Sequence, residues 1–459
     1  MTSDHPALAP ITLPARSRKS APPWADLAYG SVTIASTLPW AIVDGWLLYF
    51  YLPPAPAGPR VPAALYGVPV LAVSLLNIFL NPVIGHLSDQ ARGRWGRRLP
   101  LVGIGAVPLL AAFVLLWRPP VAASSVFNLV YLTAILAVYT LAYSAVMVPF
   151  TALLPELTQS EAHRVRLASL WAGAQMLGVM LTAFAGPLIT EFGYAGMAQI
   201  YAAMALPLFY LPFLVLRERP GSQTPVSARL GFRAGLSFTV RNRPFLILTA
   251  AGLCSGTAIA FSLIIVPYLV TEICALAQAS SVWFFGLAVV TSLICYPLVT
   301  WLTLQIGKWR VLVGALALAG LALPALALIG PWWPVPLMAQ GLIWVAVESA
   351  ATAPVIVLPP AIIAGLTDDD ARRTAQRREG AYYSVWVLQN QTVTGLAAAV
   401  VPLILLLGRS RFDPHGPLGV RVVSLIGGGL CLLAGWLCWR YPLQTAPADQ
   451  NAGQPDRYA

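Results

Sequence analysis

What most constrains this chain is a succession of apolar runs long enough to cross a bilayer. They fall at roughly 27–52, 61–85, 100–117, 125–155, 167–190 and 195–216, then at 245–272, 280–303, 311–330, 334–365, 380–407 and 418–440. A helix rises 1.5 Å per residue, so about 20 apolar residues span a hydrocarbon core of about 30 Å. Each run therefore predicts one spanning helix. The expected fold is an all-α membrane protein of twelve transmembrane helices in two six-helix halves. The run at 334–365 is too long for one straight span, and Pro354, Pro359 and Pro360 predict that its second half kinks or leaves the hydrocarbon early.

Charge supports that reading and orients it. Of the 459 residues, 58% are hydrophobic and 10% charged, whereas soluble domains carry about 25% charged residues. The 28 Lys+Arg against 17 Asp+Glu leave a net +11, which in a membrane chain reflects the positive-inside bias rather than nucleic-acid binding. With a cytosolic amino terminus, the outer loops hold Arg60, Arg118, Arg409, Arg411 and Arg421, and every other basic residue falls inside. Both termini are then expected to be cytoplasmic, in a bacterial inner membrane. Tyr49, Tyr51, Trp332 and Trp333 fall near outer ends, where amphipathic rings prefer to lie.

The domain reading follows from the breaks. Residues 1–26, with Arg16, Arg18 and Lys19 and no apolar core before them, are expected to form a cytosolic arm rather than a cleaved signal. Residues 27–216 make the first half, 217–244 an arginine-rich linker, 245–440 the second half and 441–459 a cytosolic tail. The five cysteines and four histidines show no metal-ligand spacing. No nucleophile elbow, Walker loop or other enzyme motif is present, so neither catalysis, a cofactor nor a metal is expected.

Three segments stand out as motifs. The first is Asn81-Pro82-Val-Ile-Gly85-His-Leu-Ser-Asp89-Gln-Ala-Arg92-Gly-Arg94-Trp95-Gly96-Arg97-Arg98-Leu-Pro100. Gly85 would allow a close helix approach, and Asp89 can accept hydrogen bonds from loop arginines or helix N–H groups. Such a charged, short loop can gate one face of a bundle. The second is Val148-Pro149-Phe150-Thr-Ala-Leu-Leu154-Pro155-Glu156-Leu157-Thr158, followed by Arg164. The third runs from Leu358-Pro359 through Asp368 to Arg377-Arg378-Glu379-Gly380-Ala-Tyr382-Tyr383. Gly85, Asp89, Arg97, Arg98, Glu156, Arg164, Arg377, Arg378 and Glu379 form the candidate gating set.

In order and spacing these motifs resemble the glycoside–pentoside–hexuronide:cation symporters, the melibiose-permease branch of the major facilitators. The resemblance implies a substrate site between two six-helix halves at mid-membrane. It also implies a cation site built from carboxylates on helix 2 and a lysine on helix 11. The corresponding positions here are Asn77, Asn81 and Gln391. Sugar-contacting carboxylates on helices 1 and 4 and an arginine on helix 5 correspond to Thr37 (or Thr33), Met147 and Trp171. All of these positions are neutral. An amide offers oxygen to Na⁺ and hydrogen bonds to hydroxyls, but it neither offsets a dehydrated cation nor titrates. Na⁺ coupling is therefore not expected, and a bulky or amphipathic solute is favoured over a small sugar.

Two acids remain within the runs, and intramembrane carboxylates are functional candidates by default. Asp44 lies in the first run, seven residues or about 10 Å from the belt at Tyr51; Glu348 lies deeper, in the tenth. Both are candidate proton carriers. Trp40, Asn77, Asn81, Tyr143, Trp171, Gln175, Trp386 and Gln391 are the candidate lining of the substrate cavity, with Gln389 and Asn390 beside them. The expectation is a monomeric transporter of a glycoside-like or amphipathic small solute, coupled to H⁺ or uncoupled. A proton-driven exporter is the alternative within transport. A non-transporting scaffold or assembly factor for a pigment or lipid pathway is the alternative outside it.

Overall fold

The computed structural model describes residues 23–54, 57–90, 98–157, 161–215, 243–374, 379–407 and 418–440. Among these, twelve α-helices of 15 residues or more occur. Before the linker come α1 (Pro23–Tyr51), α2 (Gly67–Gln90), α3 (Leu99–Leu115), α4 (Val126–Leu157), α5 (Glu161–Thr182) and α6 (Ala185–Val215). After it come α7 (Arg243–Tyr268), α8 (Ser281–Ile306), α9 (Lys308–Ala322), α10 (Leu337–Thr374), α11 (Glu379–Leu405) and α12 (Leu418–Arg440). Among the described residues, ten spans are long and apolar enough to cross a membrane. Of the other two helices, α3 is apolar but 17 residues long, and α5 begins with the polar sequence Glu161-Ala-His-Arg-Val-Arg166. Leu214, Leu304, Phe79 and Ile104 are more than 70% exposed, which only a hydrocarbon solvent tolerates.

The break expected between the fifth and sixth runs falls at Gly193, whose φ of +68° interrupts the helical path within Ala185–Val215 and is open to glycine because it lacks a Cβ. A short turn at Ala183–Phe184, which the apolar run carries through, precedes it. The long run at 334–365 becomes one continuous helix of 38 residues, about 57 Å long, with all three prolines inside it.

Helix pairing repeats. In the first six, α1 packs on α5 and α6, α4 on α2 and α3, and α3 on α6. In the second six, α7 packs on α11 and α12, α10 on α8 and α9, and α9 on α12. The same five pairings recur with each helix advanced by six. The two sets meet through α1–α7, α2–α11, α5–α8 and α6–α8. The α2–α11 seam depends on Gly395, where an added Cβ would come within 2.9 Å of the Ser74 Cβ.

Candidate functional site

The candidate polar residues of the first six helices fall into stripes. On α1, Thr33, Thr37, Trp40 and Asp44 recur at spacings of four, three and four, which sets them on one helix face. Thr37 Oγ1 donates to the Thr33 carbonyl at 2.7 Å, whereas Thr33 Oγ1 is buried without a partner. Trp40 is 37% exposed. Asp44 is half-buried and has no hydrogen bond or ion pair among the described residues. Its carboxyl lies within electrostatic reach of three phenols, those of Tyr66, Tyr139 and Tyr143.

Helices α2, α4 and α5 add neutral groups. Asn77 is buried, and its Oδ1 accepts a 2.7 Å hydrogen bond from Ser144 Oγ on α4. One turn along, Asn81 Oδ1 is buried with no partner. Tyr139 and Tyr143, one turn apart on α4, stack with centroids 6.2 Å apart. The Tyr139 hydroxyl is buried and unpartnered, as is Trp171 Nε1 on α5. Gln175 lies one turn after Trp171, half-buried. Buried polar groups are nearly always paired. Thr33, Asn81, Tyr139 and Trp171 therefore leave an unusual concentration of unused donors and acceptors on four helices of one half.

The second six helices place Glu348 differently. It is 8% exposed, and its carboxylate accepts from Ser262 Oγ on α7 at 2.9 Å and from Ser349 Oγ at 3.4 Å. Cys431 on α12 is also within its electrostatic reach. Trp386 on α11 is half-buried. Gln389 packs so closely on Gly252 of α7 that a Cβ there would meet its amide nitrogen at 2.3 Å. Gln391 is one turn before Gly395 on α11, the helix that meets α2, although its side chain lies outside the described residues.

Much of the gating set also lies outside them. Arg97, Arg377 and Arg378, and the side chains of Asp89, Glu156, Arg164 and Glu379, are not described. Arg98 is, and is buried at the start of α3. At Gly85 a Cβ would meet Val148 at 3.7 Å, an ordinary contact, and no closer one occurs among the described residues. Tight approaches in the first six helices lie elsewhere, as between α3 and α6, where a Cβ on Gly103 would meet Phe213 at 2.5 Å, and between α5 and α1, where one on Gly178 would meet Thr37 at 2.8 Å. The sequence reading missed Tyr139 as a site residue; its i, i+4 spacing to Tyr143 was the available signal.

Besides the α2–α11 seam, several contacts between the two sets of helices lie at one end. The Tyr49 hydroxyl bonds Thr271 Oγ1 at 3.1 Å, the Tyr268 hydroxyl donates to the Leu52 carbonyl at 2.8 Å, and Gln278 Nε2 donates to Tyr194 at 3.3 Å. Trp46 and Phe285 meet beside them at 6.2 Å. A Cβ on Gly186 would sit 2.0 Å from Ser281 Oγ. These contacts join the two sets of helices at the end where α1 runs into α2 and α7 into α8.

Comparison with known proteins agrees with this architecture. The family model described as MFS/sugar transport protein matches residues 28–445. The glucuronide carrier protein homolog of Escherichia coli is 25% identical over 434 residues, covering 91% of this chain and 92% of that protein. An uncharacterized symporter of Synechocystis is 34% identical over 148 residues, which is 31% of this chain and 26% of its own length. The crystal structure of the nucleoside transporter NupG superposes with a TM-score of 0.66 at 12% identity, covering 91% of this chain and 98% of that one; this likeness is one of fold.

Proposed function

The chain belongs to the MFS/sugar transport protein family, and from that premise we propose that it moves a glycoside-like or amphipathic solute by alternating access between two six-helix halves. As a member of that family it is a multi-pass secondary transporter of the bacterial inner membrane. The finer assignment, to the glycoside–pentoside–hexuronide branch, rests on the three sequence motifs and on full-length similarity to a glucuronide carrier homolog. The repeated helix pairing supports division at 217–244, and the basic residues support cytoplasmic termini. The end joined through Tyr49, Tyr268 and Gln278 is then the outer one.

The observation that carries the proposal is the set of buried polar atoms left unused among the described residues on α1, α2, α4 and α5, helices that pack as α1–α5, α2–α4 and α4–α5. Hydroxyl-bearing solutes satisfy such donors and acceptors, while indole faces cover the apolar side of a ring. Asn77 and Asn81 bring no negative charge to these helices, and Asp44 does. Of the two candidate acids, Asp44, which has no hydrogen bond among the described residues, is the proposed proton carrier, and Glu348, which two serines hold, has a packing role. The test is uptake by proteoliposomes of a glycoside panel under an imposed pH gradient, and separately under a Na⁺ gradient with the pH difference clamped. Accumulation that follows ΔpH alone is expected. Accumulation that follows Na⁺ overturns the coupling, and no uptake of any glycoside overturns the substrate class.

A further inference from the structure

A cavity lies between the end of α9, the 3-10 turn Pro324–Leu328, the connection 329–336 and the first turns of α10. Its volume is about 310 Å³, at the lower end of the usual range for small-molecule sites. Leu328, Ile329, Trp333, Ile343 and Val347 supply most of the wall, with Gln340 as its amide. The polar groups of that wall are already engaged. Gln340 bonds Gly330 and Val335, Trp333 Nε1 donates to the Leu328 carbonyl, and Trp344 Nε1 donates to the Ala322 carbonyl. What the groove offers an occupant is therefore hydrocarbon contact. It opens outward, with Leu328 62% and Ile343 61% exposed. The Trp332–Trp333 pair marks the level of the bilayer interface.

One charge stands at the rim. Arg421, in the first turn of α12, donates from Nη2 to the carbonyl of Ile329, a wall residue, at 3.0 Å. Its guanidinium lies 5.2 Å from the Trp332 ring. Its Nε is buried without a partner, and no carboxylate among the described residues pairs with it. A half-buried guanidinium at a helix start, with no carboxylate partner among the described residues, is suited to a phosphate through its Nη groups, the buried Nε being out of reach.

We propose that this groove and Arg421 bind one phospholipid of the adjacent leaflet, an acyl chain in the groove and the phosphodiester on Arg421. The occupant is a lipid rather than a transported solute, because an apolar wall and a single cationic rim match a chain beneath an anionic headgroup. The site shares no residue with the proposed lining of the substrate cavity.

The test is native mass spectrometry of the purified full chain with phosphatidylglycerol, a diacylglycerol of the same chains, and glycerol phosphate. One phosphatidylglycerol should be retained about fivefold better than diacylglycerol, the contribution of one basic residue near a membrane surface. Arg421→Gln should remove that difference, and Arg421→Lys should keep most of it. Ile343→Trp, which fills the groove, should weaken both lipids about fivefold. Arg118→Gln, at another exposed arginine, should change nothing. Equal losses for Arg421→Gln and Arg118→Gln would mean diffuse surface charge and overturn the site. So would wild-type retention by Ile343→Trp, or displacement of the lipid by equimolar glycerol phosphate. If Arg421→Gln does not fold, the Arg421→Lys and Ile343→Trp arms decide.

Discussion

Asp44 and Glu348 occupy matching places in the helix repeat with the roles of the two helices exchanged. In the first half the acid is on α1, and phenols on α4 face it. In the second half the acid is on α10, the counterpart of α4, and the hydroxyl that meets it, Ser262, is on α7, the counterpart of α1. The environments differ more than the geometry. Asp44 is half-buried and makes no hydrogen bond among the described residues, while Glu348 is buried and held by two serine hydroxyls. Position along the sequence favours Glu348 as the deeper acid; surroundings favour Asp44 as the one able to exchange a proton. A carboxylate that must change charge during a transport cycle needs access and few fixed donors, whereas one tied to a neighbouring helix serves packing first.

The largest expected effect comes from Asp44→Asn. It should abolish proton-driven accumulation, by about a hundredfold or more, and flatten its pH dependence while leaving solute exchange intact, because the amide keeps shape and loses titration. Proteoliposome accumulation against counterflow reads both. Retained accumulation would remove the distinction between the two acids. Next, Glu348→Ala should lower stability by about 1–3 kcal/mol, since the Ser262 and Ser349 hydroxyls lose their acceptor inside the bundle. Thermal unfolding in detergent measures this. Glu348→Gln, which preserves an acceptor oxygen, should cost less than the alanine variant and leave accumulation within a few-fold of wild type. Loss of accumulation with normal stability would instead make Glu348 the proton carrier.

A smaller effect is expected at Asn77. Removing the amide in Asn77→Ala leaves Ser144 without its acceptor, at a cost of about 1 kcal/mol. The smallest effect belongs to Tyr143→Phe. Loss of one phenol near Asp44 should shift the pH of half-maximal uptake by a few tenths of a unit, without changing stability. The same substitution should leave Glu348→Gln unaffected, so the two can be combined to show whether the halves act independently.

The sequence made most of the architecture legible. The apolar runs match twelve helices because spanning length and hydropathy are local properties of a segment. The break expected beside Glu191 is met at Gly193, whereas the short turn at Ala183–Phe184 lies inside an apolar run and left no signal. Trp171 and Gln175, one turn apart, were readable as one face of one helix. The bond between Asn77 and Ser144 was not, because 67 residues separate the partners, and neither was that between Ser262 and Glu348, 86 residues apart.

By itself the sequence determined that a bilayer is the solvent and that long apolar helices recur along nearly the whole chain. Those properties are set by side-chain composition over short windows. Only the tertiary structure decided which polar atoms are satisfied and which remain unused, and which of two acids has partners. It alone joined the two sets of helices at one end through Tyr49, Tyr268 and Gln278 and set Arg421 over an apolar groove. Hydrogen bonds and close approaches between helices depend on non-local packing, which no window of sequence contains.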